Sequence, residues 1–291
     1  MAAERAPQPV RVGSRMSALA RWQAGQVIAG LRRAGLEAQF CGVGTAGDRD
    51  LTPAALRRGD GVFAQALEQA LIEGRIDVAV HSLKDVPTRL APGLRLAAVL
   101  ARHDARDAVV GRPLADLPHA ARVGTSSPRR RAFLKALRPD LEVVAVRGNV
   151  PTRVALVDDR RVDAVVLALA GLERLGMGAR AAEVLPIDLF PPAPGQGAIA
   201  VEAGAAPGPS AVAALDDAAA RRATGVERAL LARLGGTCDL PLGAYAEATA
   251  DGGLRLRARL EAPDGRLRTV DVSGSRDDDV VERAAAGLSG P

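Results

Sequence analysis

The stretch Ile76-Asp77-Val78-Ala79-Val80-His81-Ser82-Leu83-Lys84-Asp85-Val86-Pro87 places two charged side chains soon after an apolar run. Its first five residues are mostly β-branched or small and apolar, which predicts a buried strand. Pro87 ends the pattern. Ligands of open parallel sheets bind beyond the carboxyl ends of the strands. Lys84 and Asp85 are therefore candidate chemical groups rather than ordinary surface charges.

Strand and helix patterns alternate on both sides of this stretch. The first such series predicts strands at 10–13, 37–43 and 94–100 and helices at 17–34 and 61–72. Alternation of this β-α-β kind predicts a mainly parallel sheet with helices on both faces. The fold class expected for the first part of the chain is therefore α/β.

A second α/β series begins after Asp107, and a different pattern begins near residue 216. Residues 216–234 and 277–288 predict helices, and 254–260 alternates strictly between apolar and polar, which is typical of a half-exposed antiparallel strand. We expect three domains. Their predicted bounds are 1–100 with 195–215 for the first α/β domain, 101–194 for the second, and 216–291 for a small α+β domain.

Composition narrows the class of protein. Hydrophobic residues make up 48 % of the 291 residues, yet no apolar run is long enough for a membrane span, and residues 1–5 lack a hydrophobic signal region. Cys41 and Cys238 lie far apart and only three histidines are present. A zinc cluster or disulfide framework is not expected. We expect a cytoplasmic protein with reduced thiols, no membrane association and no metal.

The charge distribution points to an anionic ligand. The net charge is +5, and residues 122–161 hold ten lysines and arginines against four acids. Aromatic residues are only 2 % of the chain, whereas single-strand binders rely on aromatic stacking. Nucleic acid is therefore not the expected partner. Small carboxylates or phosphates fit better, since arginine binds them with two parallel hydrogen bonds.

Three further motifs follow predicted strands and carry arginine. They are Gly13-Ser14-Arg15-Met16-Ser17, Gly124-Thr125-Ser126-Ser127-Pro128-Arg129-Arg130-Arg131 and Arg147-Gly148-Asn149-Val150-Pro151-Thr152-Arg153. A hydroxyl followed by proline is typical of a helix start, where backbone N–H groups favour an anion. Taken singly, each motif is equally an ordinary helix start or turn with solvated arginines. If the two α/β domains face each other, all of them line one cleft.

For two residues, Asp85 and Cys238, the sequence allows more than one interpretation. Asp85 is an acid among cations, and it either forms a salt bridge or faces a positive charge that develops during a reaction. Cys238 lies in Gly235-Gly236-Thr237-Cys238-Asp239-Leu240-Pro241, a composition typical of an exposed loop. A reactive or modified thiol is the favoured interpretation there, although no histidine or second cysteine is near in sequence.

Together these motifs resemble the porphobilinogen deaminase family, also called hydroxymethylbilane synthases. The matching stretches are 13–20, 81–87, 124–130, 147–153, 170–176, 194–198 and 227–241. The resemblance implies two domains like those of periplasmic binding proteins plus a small α+β domain. It also implies a transferase that joins four porphobilinogen molecules head to tail, with release of ammonia, into the linear tetrapyrrole hydroxymethylbilane.

The resemblance also implies roles for residues at matching positions. Asp85 matches the catalytic carboxylate, which stabilises the positive charge left when ammonia departs. Cys238 matches the cysteine that carries the dipyrromethane cofactor through a thioether. The matching cofactor-binding residues are Lys84, Asp85, Thr125, Ser126, Ser127, Arg129 and Arg130. The matching substrate-binding residues are Arg15, Ser17, Arg147, Gly148, Arg153, Arg174 and Gln196.

The implied partners are porphobilinogen and the growing pyrrole chain, and a monomer is expected. The main alternative is a non-catalytic cytoplasmic binder of small polycarboxylates, in which Cys238 is incidental. Nucleic-acid binding is a weaker third hypothesis. The Cys238 loop discriminates among them, because a simple binder needs no additional domain that presents a thiol.

Overall fold

The computed structural model describes residues 8–44, 61–204, 210–237 and 239–290. The strands are β1 (Val10–Ser14), β2 (Ala38–Gly42), β3 (Val78–Ser82), β4 (Leu94–Val99), β5 (Asp107–Val110), β6 (Arg122–Gly124), β7 (Glu142–Val144), β8 (Ala164–Ala168), β9 (Ala181–Val184), β10 (Ile199–Gly204), β11 (Leu242–Ala248), β12 (Leu254–Glu261) and β13 (Leu267–Gly274). The helices are α1 (Ala18–Arg33), α2 (Gly61–Ile72), α3 (Pro128–Leu137), α4 (Val150–Asp158), α5 (Leu169–Arg174), α6 (Ser210–Ala213), α7 (Ala218–Arg233) and α8 (Asp277–Ser289). Within these ranges, no helix has the length and apolar character that crossing a bilayer requires.

The chain divides into two compact units. Unit 1 comprises residues 1–100 and 199–217, and unit 2 comprises 101–198 and 218–291. Unit 1 holds one five-stranded sheet, and unit 2 holds a second five-stranded sheet together with the three-stranded sheet of the C-terminal region. The division into three domains with the bounds predicted above stays a prediction.

The unit 1 sheet has the order β2-β1-β3-β10-β4. Strand β1 pairs in parallel with β2 and β3, whereas β10 runs antiparallel to β3 and β4. Helix α1 packs Ala24, Val27 and Leu31 on the face of Val78 and Val80. Since side chains alternate along a strand, Ala79 points to the other face, where it packs with Leu67 and Ala70 of α2. The prediction of a mainly parallel sheet covered on both faces is confirmed, with β10 as an antiparallel insertion.

The five-stranded sheet of unit 2 repeats this topology in the order β7-β6-β8-β5-β9. Strand β6 is parallel to β7 and β8, and β5 is antiparallel to β8 and β9. One face packs on Phe133 and Leu134 of α3, and the other on Val154 of α4 and Leu172 of α5. The predicted fold class, α/β followed by α+β, is confirmed by these sheets and the one that follows.

The three-stranded sheet β11-β12-β13 is antiparallel throughout. Along β12 the residues alternate between buried and half-buried, so that Leu254, Leu256, Ala258 and Leu260 face the core. Helices α7 and α8 cover this face. The period-two pattern predicted at 254–260 therefore has the expected burial, and the predicted helices at 216–234 and 277–288 correspond to α7 and α8.

A buried carboxylate joins the third sheet to the rest of unit 2. Glu227 of α7 is fully buried. It accepts two hydrogen bonds from the Arg102 guanidinium, at 2.6 and 3.0 Å, one from the Gly195 amide at 2.7 Å and one from the Ala246 amide at 2.8 Å. Four donors on three separate segments meet at one side chain, which fixes α7 and β11 against the 101–105 and 190–198 segments.

We expect Glu227→Gln to destabilise the protein strongly. Removing one partner of a buried ion pair leaves the other charge uncompensated, which costs about 3–5 kcal/mol of unfolding free energy. A urea titration followed by circular dichroism measures the change. Glu282→Gln is the matched control, because the Arg233–Glu282 pair is largely exposed and such pairs contribute little. Equal unfolding midpoints for the two variants would contradict this role of Glu227.

Candidate active site

Three of the four sequence-predicted residues of unit 1 meet in a small pocket where β1 and β3 end. The cavity has a volume of about 90 Å³. The side chains that line it belong to Arg15, Ser17, Leu19, Ala20, Gln23, Ala64, Val80, His81, Ser82 and Asp85. Arg15, Ser17 and Asp85 are thus brought together, as expected for segments that leave neighbouring parallel strands.

Local interactions hold the two strand ends that form this pocket. Ser17 caps helix α1, its side chain accepting a hydrogen bond from the Ala20 amide at 3.3 Å. Gln23 donates from Nε2 to Ser82 Oγ at 2.8 Å. After Ser82 the chain forms one 3₁₀ turn, Leu83–Asp85, whose Leu83 is fully buried. The buried Leu83 side chain anchors this turn and keeps the half-buried Lys84 and Asp85 at the end of β3.

Arg129 and Arg130 of unit 2 are buried, not displayed at the surface as a run of arginines suggests. Their side chains are 4 % and 6 % exposed, and both pair with the fully buried Asp107 of β5, each at 2.7 Å. Burial by itself would raise the pKa of Asp107, but the charges of Arg129 and Arg130 hold that pKa well below its usual range. The group carries two cations for one carboxylate and is therefore net positive.

Asp107 is a residue that sequence analysis missed as a site component. The sequence marks Asp107 only as the start of the second α/β series, because its ion pair with Arg129, 22 positions further along the chain, leaves no local sequence signal. Gln196, predicted as substrate-binding, belongs to the same group. Its Nε2 atom donates to Asp107 Oδ1 at 2.9 Å and to the Ala105 carbonyl at 2.7 Å.

The hydroxyls before α3 form local hydrogen bonds at the start of that helix. Ser127 caps α3, accepting from the Arg130 amide at 3.4 Å, and Pro128 occupies the first helical turn. Thr125 Oγ1 accepts from the Ser127 amide, and Ser126 Oγ donates to the Val146 carbonyl. The predicted cofactor-binding segment is thus a strand-to-helix turn fixed by its own hydrogen bonds.

The motif at the start of α4 presents arginine beside a tight turn. Asn149 caps the helix, accepting from the Thr152 amide at 3.0 Å. Gly148 has a φ of 101°, and a Cβ there would lie 2.7 Å from Thr152 Cγ2, so a larger residue would be strained. Arg153 donates from Nε to the Gly148 carbonyl at 2.9 Å. Arg147 is exposed and Arg153 half-buried, as carboxylate-binding groups need to be.

Arg174 of α5 is a largely buried cation. Its Nη2 atom donates to the Gly197 carbonyl at 2.6 Å. Burial lowers its pKa to about 10, and the charge of Glu173 opposes that shift. The guanidinium remains charged at neutral pH and can attract an anion. Cys238, the predicted anchor of the cofactor, lies outside the described residues.

These strand ends define an α/β protein built to bind carboxylate-bearing molecules, with one half-buried carboxylate, Asp85, placed among cations. Among the described residues, no three acidic, histidine or cysteine side chains are arranged to hold a metal ion.

Comparison with known proteins identifies the family. A family model described as "Porphobilinogen deaminase, dipyromethane cofactor binding domain" matches residues 10–208, and "Porphobilinogen deaminase, C-terminal domain" matches 222–288. A porphobilinogen deaminase of Moorella thermoacetica is 45 % identical over 287 residues, covering 95 % of this chain and 91 % of that protein. Those of Stenotrophomonas maltophilia and Pelobacter propionicus are 45 % and 44 % identical, each covering 93 % of this chain and 92 % and 90 % of theirs.

The chain belongs to the porphobilinogen deaminase family. It is an enzyme that polymerises porphobilinogen into hydroxymethylbilane, and dipyrromethane is its cofactor. The family assignment gives no support to the alternative of a non-catalytic anion binder.

Two solved structures match this chain with low TM-scores. A periplasmic substrate-binding protein of an ABC transporter from Coxiella burnetii matches with a TM-score of 0.42 and 12 % identity, covering 71 % of this chain and 91 % of that one. The periplasmic VFT2 domain of Bordetella pertussis BvgS matches with a TM-score of 0.41 and 18 % identity, covering 71 % and 84 %. Both scores are low, and the fold described above rests on the sheet topology.

The residues present fit a cofactor that carries carboxylates. Arg129 Nε is buried and has no hydrogen-bond partner among the described residues, although the same guanidinium pairs with Asp107. The Arg129–Arg130–Asp107 group is net positive. Arg147, which follows strand β7, is exposed. A donor set dominated by guanidinium suits carboxylate side chains.

We expect Asp107→Asn to destabilise the protein in a pH-dependent way. Two buried guanidiniums lose their counter-charge, which costs about 3–5 kcal/mol of unfolding free energy near neutral pH. A carboxyl whose pKa is lowered on folding stabilises the protein above its unfolded pKa, and that contribution is lost as the pH falls through the folded pKa.

The advantage of the wild type over Asp107→Asn should therefore shrink progressively once the pH falls below the ordinary value of 3.8 for aspartate. Urea unfolding at a series of pH values measures it. Asp158→Asn serves as control, since the Asp158–Arg180 pair is exposed. A difference between wild type and Asp107→Asn that stays constant down to strongly acidic pH would contradict the assignment.

Proposed function

We propose that Asp85 is the catalytic carboxylate of porphobilinogen polymerisation in this chain and that Cys238 carries the dipyrromethane. The observation that supports the role of Asp85 is its place in one pocket with Arg15 and Ser17, at the ends of β1 and β3. Sequence and structure agree on this juxtaposition, whereas the position of Cys238 is supported by its match to the family motif.

The environment of Asp85 suits a group that must remain ionised. Arg15 lines the same pocket, and Lys84 precedes Asp85 in the 3₁₀ turn. Nearby cations favour the carboxylate form of an acid. When the bond between carbon and the amino nitrogen of porphobilinogen breaks, ammonia leaves and positive charge develops on the pyrrole. A fixed carboxylate stabilises that charge and can accept or return a proton.

The cations of the chain bind the carboxylates of substrate and product. Each porphobilinogen carries an acetate and a propionate, and dipyrromethane supplies the carbon nucleophile to which the first substrate is joined. Each charge-assisted hydrogen bond contributes roughly 1.5–3 kcal/mol. The groups that we propose for this binding are Arg15, Ser17 and Lys84 in unit 1, and Thr125, Ser126, Ser127, Arg147, Gly148, Arg153 and Arg174 in unit 2.

Three predicted binding residues have a more indirect role in this proposal. Arg129, Arg130 and Gln196 are tied to Asp107. We propose that these three residues hold the positive charge and the strand ends in place. Arg129 Nε has no hydrogen-bond partner among the described residues and is the atom that we propose for binding a ligand. The remaining proposals are a monomeric state, a cytoplasmic location, and partners limited to porphobilinogen and the growing chain. The low aromatic content supports the lack of a nucleic-acid partner.

We expect Asp85→Asn to lower turnover by at least about 10²-fold, the usual contribution of a group that transfers protons or stabilises charge in the transition state. The assay converts the linear tetrapyrrole formed from porphobilinogen to uroporphyrin, and the absorbance of uroporphyrin measures turnover. Asp264→Asn, in an exposed turn of the third sheet, is the matched control. Turnover like that of the wild type in Asp85→Asn would remove this residue from the mechanism.

We expect the denatured protein to carry a covalent mass excess of two condensed porphobilinogen units. Because a thioether needs the Cys238 sulfur, Cys238→Ser should have no excess, whereas Cys41→Ser should keep it. Intact-mass spectrometry decides this, after incubation of each protein with porphobilinogen. An excess that persists in Cys238→Ser and is lost in Cys41→Ser would contradict the anchor.

A further inference from the structure

A second set of titratable residues lies behind His81, which itself lines the Asp85 pocket. Strands β3 and β10 pair with His81 opposite Ala200 and Ala79 opposite Glu202. Because residues two apart on a strand share a face, His81 and Glu202 point to the same side of the sheet. That side is the one covered by α2, since Ala79 packs with Leu67 and Ala70.

Helix α2 adds an acid to this face. Glu68 is one turn beyond Ala64, which itself lines the pocket. Glu68, His81 and Glu202 are 8 %, 7 % and 0 % exposed. Two glutamates and a histidine are therefore buried on one face of the unit 1 sheet, beside a hydrophobic cluster. None of them was predicted as a site residue.

Each of these three side chains has at least one buried polar atom without a hydrogen bond. Within the described residues, Glu68 Oε1, His81 Nε2 and both carboxylate oxygens of Glu202 have no hydrogen-bond partner. His81 Nε2 lies 3.6 Å from Glu202 Oε2. That distance is within reach of an ion pair but longer than a direct hydrogen bond, so the attraction between them is electrostatic.

Burial restricts the charge that this group can carry. Two carboxylates in an apolar environment cannot both ionise without a compensating cation. Burial raises the pKa of Glu68, and the charge of Glu202 raises it further, against a backbone hydrogen bond at Ala91 and the charge of His81. Glu68 is thus the carboxyl that retains a proton most readily, and Glu202 is the one placed to pair with His81.

His81 connects this buried group to the pocket. It lines the pocket with Arg15 and Asp85, which are the charged side chains that face it from the β1 and β3 strand ends. From α2 it faces Glu68, and from β10 it faces Glu202. From α1 the pocket receives Gln23, which is neutral.

We propose that Glu68, His81 and Glu202 form a buried triad in which Glu202 positions the His81 imidazole at the wall of the Asp85 pocket. Glu202 is accordingly a positioning residue, which acts through His81 and does not contact substrate. Its catalytic consequence rests on the function proposed for Asp85. The triad itself can be tested without substrate.

The first experiment compares Glu202→Gln, Glu68→Gln and the control Glu73→Gln, an exposed glutamate at the end of α2. Glutamine copies a protonated Glu68, so Glu68→Gln should retain most of the wild-type turnover. Glu202→Gln removes the charge that holds His81, and turnover should fall by at least about tenfold, as misplacement of a site group commonly causes. The pH profile of turnover should change shape in Glu202→Gln alone. Profiles of wild-type shape in both buried variants would overturn the positioning role.

The second experiment uses the cofactor-loaded protein without substrate. The chain has three histidines, His81, His103 and His119, so imidazole ¹⁵N signals can be assigned with one His81→Gln spectrum. Glu202→Gln should shift the His81 signals and leave the other two unchanged. Unshifted His81 signals would overturn the triad. A wild type that shows this coupling but makes no tetrapyrrole would instead contradict the function proposed above.

The pH dependence of unfolding gives an independent check on Glu68. A carboxyl whose pKa is raised on folding loses its stabilising contribution as the pH rises from its unfolded pKa through its folded pKa. The unfolding midpoint of Glu68→Gln in urea should therefore rise relative to that of the wild type as the pH rises above the ordinary value of 4.5 for glutamate. Glu73→Gln should show no such trend. A difference for Glu68→Gln that does not change with pH would overturn the place of a protonated Glu68 in the triad.

Discussion

A carboxylate can be buried only with cations or N–H groups that replace its water, and unit 2 is organised by two that are fully buried, Asp107 and Glu227. Asp107 holds Arg129, Arg130 and the amide of Gln196. Glu227 holds Arg102, whose Nε donates to the Gln196 carbonyl at 2.9 Å. One continuous polar network thus joins β5, α3, α7 and the 190–198 segment. The placement of Arg129 and Arg130 depends on it.

Environment separates residues of one type into different roles. Asp107 has two guanidiniums and no solvent, so it is a structural counter-ion. Asp85 is half-buried in a pocket and has room for a ligand. The arginines divide in the same way. Arg129 and Arg130 are committed to Asp107, whereas Arg147 is exposed at a turn. The family motifs include Asp85, Arg129, Arg130 and Arg147 alike, and only burial distinguishes the two arginines that pair with the buried Asp107 from the more accessible Asp85 and Arg147.

Features set by neighbouring residues could be predicted from the sequence. Ser127 and Pro128 start α3 as expected, and the alternation at 254–260 gives the buried face of β12. The pocket formed by Arg15 and Asp85 was predicted because both follow strands, and parallel strands bring their carboxyl ends to one edge. Each of these rests on chain geometry within a few residues or on a general property of parallel sheets.

Features set by residues far apart in sequence could not be predicted in this way. Strand β10 enters the unit 1 sheet antiparallel, between β3 and β4. This pairing brings Glu202 to the face that carries His81, although 121 positions separate the two residues in the chain. In the sequence, Glu202 is a single acid in an apolar strand, and His81 is the first residue of the family-matching stretch 81–87. Only the register of β10 on β3 makes them neighbours. The strand that returns the chain to unit 1 therefore also places Glu202 beside His81, which lines the pocket with Asp85.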